Sequence, residues 1–353
     1  MSPTRIIKID PGNPKEEDFK EAAKVLKEGG LVIIPTETVY GVAASMPDKK
    51  AVDKLYEIKR RPKDKPFALL IDKREKIEEI AGAIPPAAYR LADKFWPGPL
   101  TLVLKSKGAG TIGIRMPDNQ VALGIIRETG TALFCPSANL SGKPAPLDLE
   151  EAIKDLDGLV DLAIDSGRVK LGVESTVVDL SGESLRVLRE GAINKVDIEE
   201  AAEKKTVLFV CTGNSCRSVM AEALLKKKLK ESNRKDVEVI SAGIMMLSGL
   251  GASEATKEIL RREGVDVSKH LSRRITGEMI KRSDLILVME KVHEEEVLAQ
   301  APGAKNRVFL LKEFAKIKDN NLDIEDPIGR SIDFYGQTFR VIKEAVERVA
   351  ETI

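Results

Sequence analysis

Apolar residues in the first half of this chain come in short, separate runs. The run Leu31-Val32-Ile33-Ile34-Pro35 follows a helix-patterned stretch, residues 16–28, that stops at Gly29-Gly30. Similar runs at 68–71, 100–104, 111–116, 132–135, 176–180 and 185–188 predict further strands. Turn-rich breaks such as Trp96-Pro97-Gly98-Pro99 and Ser141-Gly142-Lys143-Pro144 separate them. The pattern changes after a polar, helix-forming stretch at 197–205. From there apolar strands at 207–210, 237–241, 285–288 and 308–310 alternate with helical runs. That alternation predicts a doubly wound parallel sheet covered on both faces. The expected architecture is therefore α/β throughout: a twisted mixed α/β domain over 1–195, a linker at 196–205, and a parallel-sheet domain over 206–353.

Bulk properties narrow the function classes. At 353 residues the length suits two ordinary domains, and 42% apolar with 32% charged residues describes a globular chain. A net charge of +1 argues against a globally basic nucleic-acid binder. Three cysteines, Cys135, Cys211 and Cys216, make no disulfide framework and share no metal-ligand spacing with histidine. No signal-peptide core follows the start, and no apolar run is long enough to cross a membrane. A cytoplasmic location, where thiols stay reduced, is the expectation.

The strand at 207–210 runs straight into Cys211-Thr212-Gly213-Asn214-Ser215-Cys216-Arg217-Ser218 and then a helix-forming run. A thiolate that attacks phosphorus needs a low pKa, a seat for three oxygens and a proton donor for the leaving atom. Main-chain N–H groups at a helix start favour the Cys211 anion. Gly213 lets the loop curl into an anion nest. Arg217 can grip two phosphoryl oxygens at once, which lysine cannot. Ser218 can donate to the sulfur, and Asn214 can brace the loop.

This segment resembles the low-molecular-weight protein tyrosine phosphatases, over about 206–353. The resemblance extends to Ser241-Ala242-Gly243, His270-Leu271-Ser272-Arg273, the run 283–289 and Asp326-Pro327. It implies Cys211 as nucleophile, Arg217 as phosphate ligand and Asp326 as general acid, with no metal required. The nearby acids Asp323, Glu325 and Asp333 are the alternatives for that last role on sequence alone. It also implies either a reversible disulfide between Cys216 and Cys211 or a plain packing role for Cys216. Two departures bear on substrate. Ser215 stands where tyrosine-directed members carry a bulky aliphatic residue, and Ile328-Gly329 stands where they carry aromatics. A branch of the family that dephosphorylates arginine has threonine and glycine at the corresponding places. The protein substrate is therefore expected to carry phosphotyrosine or phosphoarginine.

The N-terminal half carries Pro35-Thr36-Glu37-Thr38-Val39-Tyr40-Gly41, the basic run Lys59-Arg60-Arg61-Pro62-Lys63-Asp64-Lys65, Arg115-Met116-Pro117, Cys135-Pro136-Ser137-Ala138-Asn139, Glu174-Ser175-Thr176 and Leu188-Arg189-Glu190-Gly191. Hydroxyls and cations at strand ends suggest a pocket for a polyanion and a small polar ligand, and no Gly-rich nucleotide fingerprint occurs. Together the blocks resemble the YrdC-like threonylcarbamoyl-AMP synthases, over roughly 6–193. The resemblance implies a reaction of L-threonine, bicarbonate and ATP, with Mg²⁺ on the phosphates, that releases pyrophosphate. It implies ATP contacts from Lys59, Arg61, Lys65, Thr111, Ser137, Asn139 and Arg189. It implies threonine contacts from Thr38, Arg115, Cys135 through its main chain, and Ser175. Leu70 departs from relatives that place a histidine near the threonine. The product would pass to the tRNA threonylcarbamoyl transfer complex.

The expectation is a bifunctional enzyme with two separate sites. The alternative is an RNA-binding module of the same N-terminal type, with weak RNA contacts from the 59–65 run and an attached regulatory phosphatase.

Overall fold

The computed structural model describes residues 3–245 and 248–353. The chain divides into two compact units between Ala201 and Ala202. The stretch expected as a helix-forming linker, 196–205, holds the helix Lys195–Glu203, whose Ile198 is fully buried, and the start of the next strand.

The first unit is built on one mixed sheet of eleven strands. These are β1 (Arg5–Lys8), β2 (Val32–Ile34), β3 (Gly41–Ser45), β4 (Leu69–Leu70), β5 (Ala81–Ala83), β6 (Leu100–Ser106), β7 (Thr111–Arg115), β8 (Leu133–Phe134), β9 (Leu162–Asp165), β10 (Thr176–Asp179) and β11 (Arg186–Arg189). They run side by side as β1-β9-β2-β3-β8-β4-β7-β6-β10-β11, with β5 pairing on β6. Strand β2 shows why its sequence is continuously apolar. Val32 and Ile34 pack under helices Glu16–Lys27 and Gln120–Thr129, whereas Leu31 and Ile33 face Leu55 and Leu149 on the other side. Both faces are buried, so no polar alternation survives.

Seven strands of this unit lie where the apolar runs place them. Strands β1, β3, β5 and β9 were not expected. β1 is an edge strand with mostly exposed residues, and β3 reads Gly-Val-Ala-Ala-Ser, too small in side chain to stand out.

The second unit has a four-stranded sheet of β12 (Lys205–Cys211), β13 (Val237–Gly243), β14 (Leu285–Val288) and β15 (Val308–Leu310), in the order β13-β12-β14-β15 and parallel throughout. Val207 and Phe209 of β12 pack with Met220, Leu224, Phe339 and Ile342, while Leu208 and Val210 pack with Ile280 and Val297 on the opposite face. In such a sheet the strand order reverses beside the first strand, and a crevice opens past its carboxyl end. Cys211 is the last residue of β12 and sits at that crevice.

Candidate active sites

The loop 211–217 wraps a small cavity of about 70 Å³ lined by Cys211, Thr212, Gly213, Ser215, Cys216, Arg217, Met245, Asp326 and Ile328. The helix Arg217–Glu231 begins here with no side-chain cap, which leaves first-turn N–H groups for an anion. Asn214 holds the loop in shape at a left-handed φ of 52°. Its amide donates to Ser218 Oγ at 3.0 Å and Ser241 Oγ at 2.8 Å, and its Oδ1 accepts from the Arg273 N–H at 3.0 Å. His270 Nε2 meets the Asn214 carbonyl at 2.8 Å. Gly243 is glycine for a steric reason. A Cβ there would lie 2.7 Å from the Thr212 carbonyl oxygen and 2.9 Å from Asn214 N, both backbone atoms that cannot yield.

Cys211 Sγ lies 3.0 Å from Ser218 Oγ. Burial pushes its thiol above the ordinary value, against the pull of Arg217 and Ser218. Burial thus works against the low pKa expected from the loop, while Arg217 and Ser218 work toward it. The Arg217 charge is itself shared between two carboxylates. The guanidinium is fully buried; Nη1 donates to Glu290 Oε2 at 2.5 Å and the Ile324 carbonyl at 2.7 Å. Nη2 donates to Thr212 Oγ1 at 3.0 Å and Asp326 Oδ2 at 2.5 Å. Only Nε is left without a partner among the described residues. Cys216 Sγ sits beside Ser253 Oγ at 3.3 Å and Tyr335 Oη at 3.5 Å, and all three cysteines are free thiols.

Glu290 and His293 were not anticipated. Glu290 precedes the helix Lys291–Gln300, and its carboxylate reaches a guanidinium 73 positions away in sequence. His293 is fully buried one turn on, with its pKa drawn down to about 4 by burial and by the Arg217 charge. An unfolded chain takes up a proton at this position below about pH 6.5, and the folded chain does not until about pH 4. Stability is thus expected to fall as pH drops through that window, by up to about 3 kcal/mol from this group alone. Urea titrations at stepped pH should show a shallower acid slope for His293→Asn than for the wild type. Equal slopes would contradict the assignment.

The first unit holds a cavity of about 660 Å³. Thr38, Lys59, Arg61, Lys65, Thr111, Arg115, Cys135, Ser137, Asn139, Ser175 and Arg189 all line it, although they span 152 positions from Thr38 to Arg189. Leu70 lines it as well, opposite Arg115 in the β4/β7 ladder. Gly41 lets β3 come close to the Cys135 segment, since a Cβ would lie 2.4 Å from Cys135 Sγ and 3.1 Å from the Pro136 carbonyl oxygen.

The cations in this cavity differ in how free they are. Lys59 is buried, and its ammonium donates to the Ser137 carbonyl at 2.6 Å and to both oxygens of Asn139. All three of its N–H groups are taken, so it acts by holding the 137–139 turn. Burial, then the nearby Arg61, draws its pKa down to about 8. Arg61 donates Nε to the Lys65 carbonyl at 2.8 Å and lies 5.1 Å over the Phe67 ring, which orders the basic loop. Arg189 donates to the Ser175 carbonyl at 2.9 Å and pairs with Glu174 at 2.8 Å. Arg115 is buried, 2.7 Å from the buried Glu37 carboxylate, and donates to Thr38 Oγ1 at 2.9 Å and the Gly98 carbonyl at 3.3 Å. Those bonds use Nε and Nη2, and among the described residues Nη1 makes none. Burial lifts the Cys135 thiol to about 12, so it stands in the cavity as a neutral group. Glu37 is a site residue that its sequence block contained without a role.

Residues 24–191 match the family model described as "Telomere recombination" (Sua5_yciO_yrdC), and residues 206–353 match the model described as "Low molecular weight phosphotyrosine protein phosphatase". The putative threonylcarbamoyl-AMP synthase of Methanocaldococcus jannaschii is 38% identical over 201 residues, covering 54% of this chain and 94% of that protein. The threonylcarbamoyl-AMP synthase of Pyrococcus abyssi is 41% identical over 195 residues, 53% of this chain. The chain spans 57% of that relative's length in sequence. The crystal structure of P. abyssi Sua5 complexed with L-threonine aligns with a TM-score of 0.55 and 28% identity, over 87% of this chain and 99% of that one. The probable low molecular weight protein-tyrosine-phosphatase EpsP of Ralstonia nicotianae is 37% identical over 143 residues, 40% of this chain and 92% of that protein.

Proposed function

We propose that this chain, which belongs to the Sua5/YciO/YrdC family through residues 24–191 and to the low molecular weight phosphotyrosine protein phosphatases through residues 206–353, carries two enzymes on one polypeptide. The observation that carries the reading is the same in both units: cationic and N–H groups converge on a cavity suited to phosphorus-bound oxygen.

The first activity is synthesis of threonylcarbamoyl-AMP from L-threonine, bicarbonate and ATP. Arg61 and Lys65 would face the triphosphate, with Thr111, Ser137 and Arg189 around it, and Lys59 and Asn139 would hold the 137–139 turn in place. The free Nη1 of Arg115 would take the threonine carboxylate, with Thr38, Ser175 and the Cys135 main chain beside it. The carbamate oxygen of N-carboxythreonine would attack the α-phosphorus, forming an O–P bond and expelling pyrophosphate. The chain's contribution is alignment and charge neutralisation. Mg²⁺ would arrive on the nucleotide's phosphates as part of the substrate. The adenylate would then go to threonylcarbamoyl transfer onto tRNA in a reducing, cytoplasmic compartment.

The second activity is phosphoprotein hydrolysis through a phosphocysteine. Cys211 would attack phosphorus as thiolate while Asp326 protonates the leaving nitrogen or oxygen. Asp326 as carboxylate would then deprotonate the water that cleaves the S–P bond. Arg217 would exchange its bond to Asp326 for phosphoryl oxygens, and its unpartnered Nε is a donor in waiting. Phosphoarginine is the favoured substrate. Among the described residues no aromatic ring lines the cavity, Ser215 and Ile328 do, and the Asp326 carboxylate in its lining suits a cationic leaving group.

Pyrophosphate release should require ATP, threonine and bicarbonate together. Matched phosphoarginine and phosphotyrosine peptides should differ in kcat/KM in favour of phosphoarginine. Pyrophosphate release without threonine would overturn the first reading, and a preference for phosphotyrosine would overturn the substrate choice.

A further inference from the structure

The Glu290 backbone N–H can only donate, and its acceptor is His293 Nδ1 at 3.0 Å. That nitrogen therefore carries no proton. His293 is fully buried, and burial together with Arg217 keeps it neutral. A neutral imidazole has one N–H, so here it must sit on Nε2. Nε2 lies 3.0 Å from Thr212 Oγ1, which makes the histidine the donor and the hydroxyl oxygen the acceptor. Arg217 Nη2, which has no acceptor character, also donates to that oxygen, at 3.0 Å.

Both lone pairs of Thr212 Oγ1 are thereby occupied, and the hydroxyl hydrogen must point elsewhere. No protein group among the described residues accepts it. Thr212 lines the small cavity with Cys211 and Arg217. A phosphoryl oxygen is an acceptor without a donor, and it is the group that this site is proposed to hold.

We infer that Thr212 is a direct ligand of the bound phosphoryl group, its hydroxyl hydrogen aimed into the cavity by His293 and Arg217. The inference rests on the phosphatase reading of the site. His293 is a positioning residue that acts through Thr212 without touching substrate. A hydrogen bond to a charged acceptor of this kind is worth about a tenfold change or more in affinity.

The test is protection of Cys211 against alkylation by iodoacetate in the full chain, titrated with orthophosphate and read by mass spectrometry of the peptide carrying Cys211. This readout needs no turnover and ignores phosphate bound at the other cavity. If the wild type hydrolyses neither phosphoarginine nor a phosphoester yet is protected, the phosphatase reading fails while the Thr212 contact is still measured. Thr212→Val should need about ten times more phosphate for half-protection, and Thr212→Ser should stay within about twofold of wild type. His293→Asn keeps an acceptor for the Glu290 N–H but loses the donor to Thr212. It should weaken protection about threefold, with the Arg217–Thr212 bond intact. Nitrogen-15 spectra should show the Nε2–H tautomer for His293. Unchanged half-protection in Thr212→Val would overturn the inference. So would unchanged protection in His293→Asn, because a hydroxyl that merely props Arg217 would not need the histidine. An Nδ1–H tautomer would overturn it at its first step.

Discussion

Arg217→Lys is expected to lower phosphatase turnover by at least about 10³-fold while pyrophosphate release stays at the wild-type rate. The guanidinium is fully buried and spans four acceptors at once: Glu290, the Ile324 carbonyl, Thr212 and Asp326. An ammonium has three donors around one nitrogen and cannot cover that span, nor present two of them in a plane to phosphoryl oxygens. Part of the loss should appear as instability of the second unit, since Glu290 loses a buried partner. Activity on p-nitrophenyl phosphate beside a pyrophosphate assay separates the outcomes. A variant that keeps more than a tenth of its phosphatase rate would contradict the place given to Arg217.

Arg115→Leu should abolish pyrophosphate release and cost the fold about 3–5 kcal/mol, the range found when one member of a buried ion pair is removed. Glu37 is 3% exposed, and among the described residues its carboxylate has no hydrogen-bond partner apart from its 2.7 Å approach to the guanidinium. Removal of Arg115 therefore strands a carboxylate in the interior. The double variant Glu37→Gln with Arg115→Leu should regain much of the stability and none of the activity. That split matters because a purely structural pair would recover both. Urea denaturation gives the first quantity and ATP-dependent pyrophosphate release the second. Recovery of activity in the double variant would show that Arg115 binds no substrate.

What was legible in the sequence follows from how local each signal is. The phosphate loop was legible because strand, cysteine, glycine, arginine and helix are consecutive, from Lys205 to Glu231. The doubly wound sheet followed from the alternation of apolar runs and helices. The β4 and β8 ladders are only two residues long, yet both lay inside apolar runs. β1 and β3 escaped because one is an exposed edge and the other is built of small residues.

Site geometry was legible only as far as residue type. The chemistry of Lys59 suggests a phosphate contact, but the helix Lys49–Lys59 ends there. Arg60 turns into the left-handed region at φ 48°, while the Lys59 ammonium is buried against the 137–139 turn. Glu290 and His293 look in sequence like an ordinary acidic helix start. Their meaning comes from parallel pairing of β12 with β14, which brings that helix start beside Arg217. No spacing rule links positions 217 and 290. The upward push on the Cys211 thiol comes from its burial in the folded loop, which no local spacing in the sequence carries.

The central claim is that two phosphate-handling pockets work on one chain without depending on each other. Its most direct test is to measure both activities in Cys211→Ser and in Arg61→Ala, in the full-length protein under one buffer. Cys211→Ser should lose phosphatase activity and keep wild-type pyrophosphate release, and Arg61→Ala should do the reverse. Loss of both activities in either variant would contradict it.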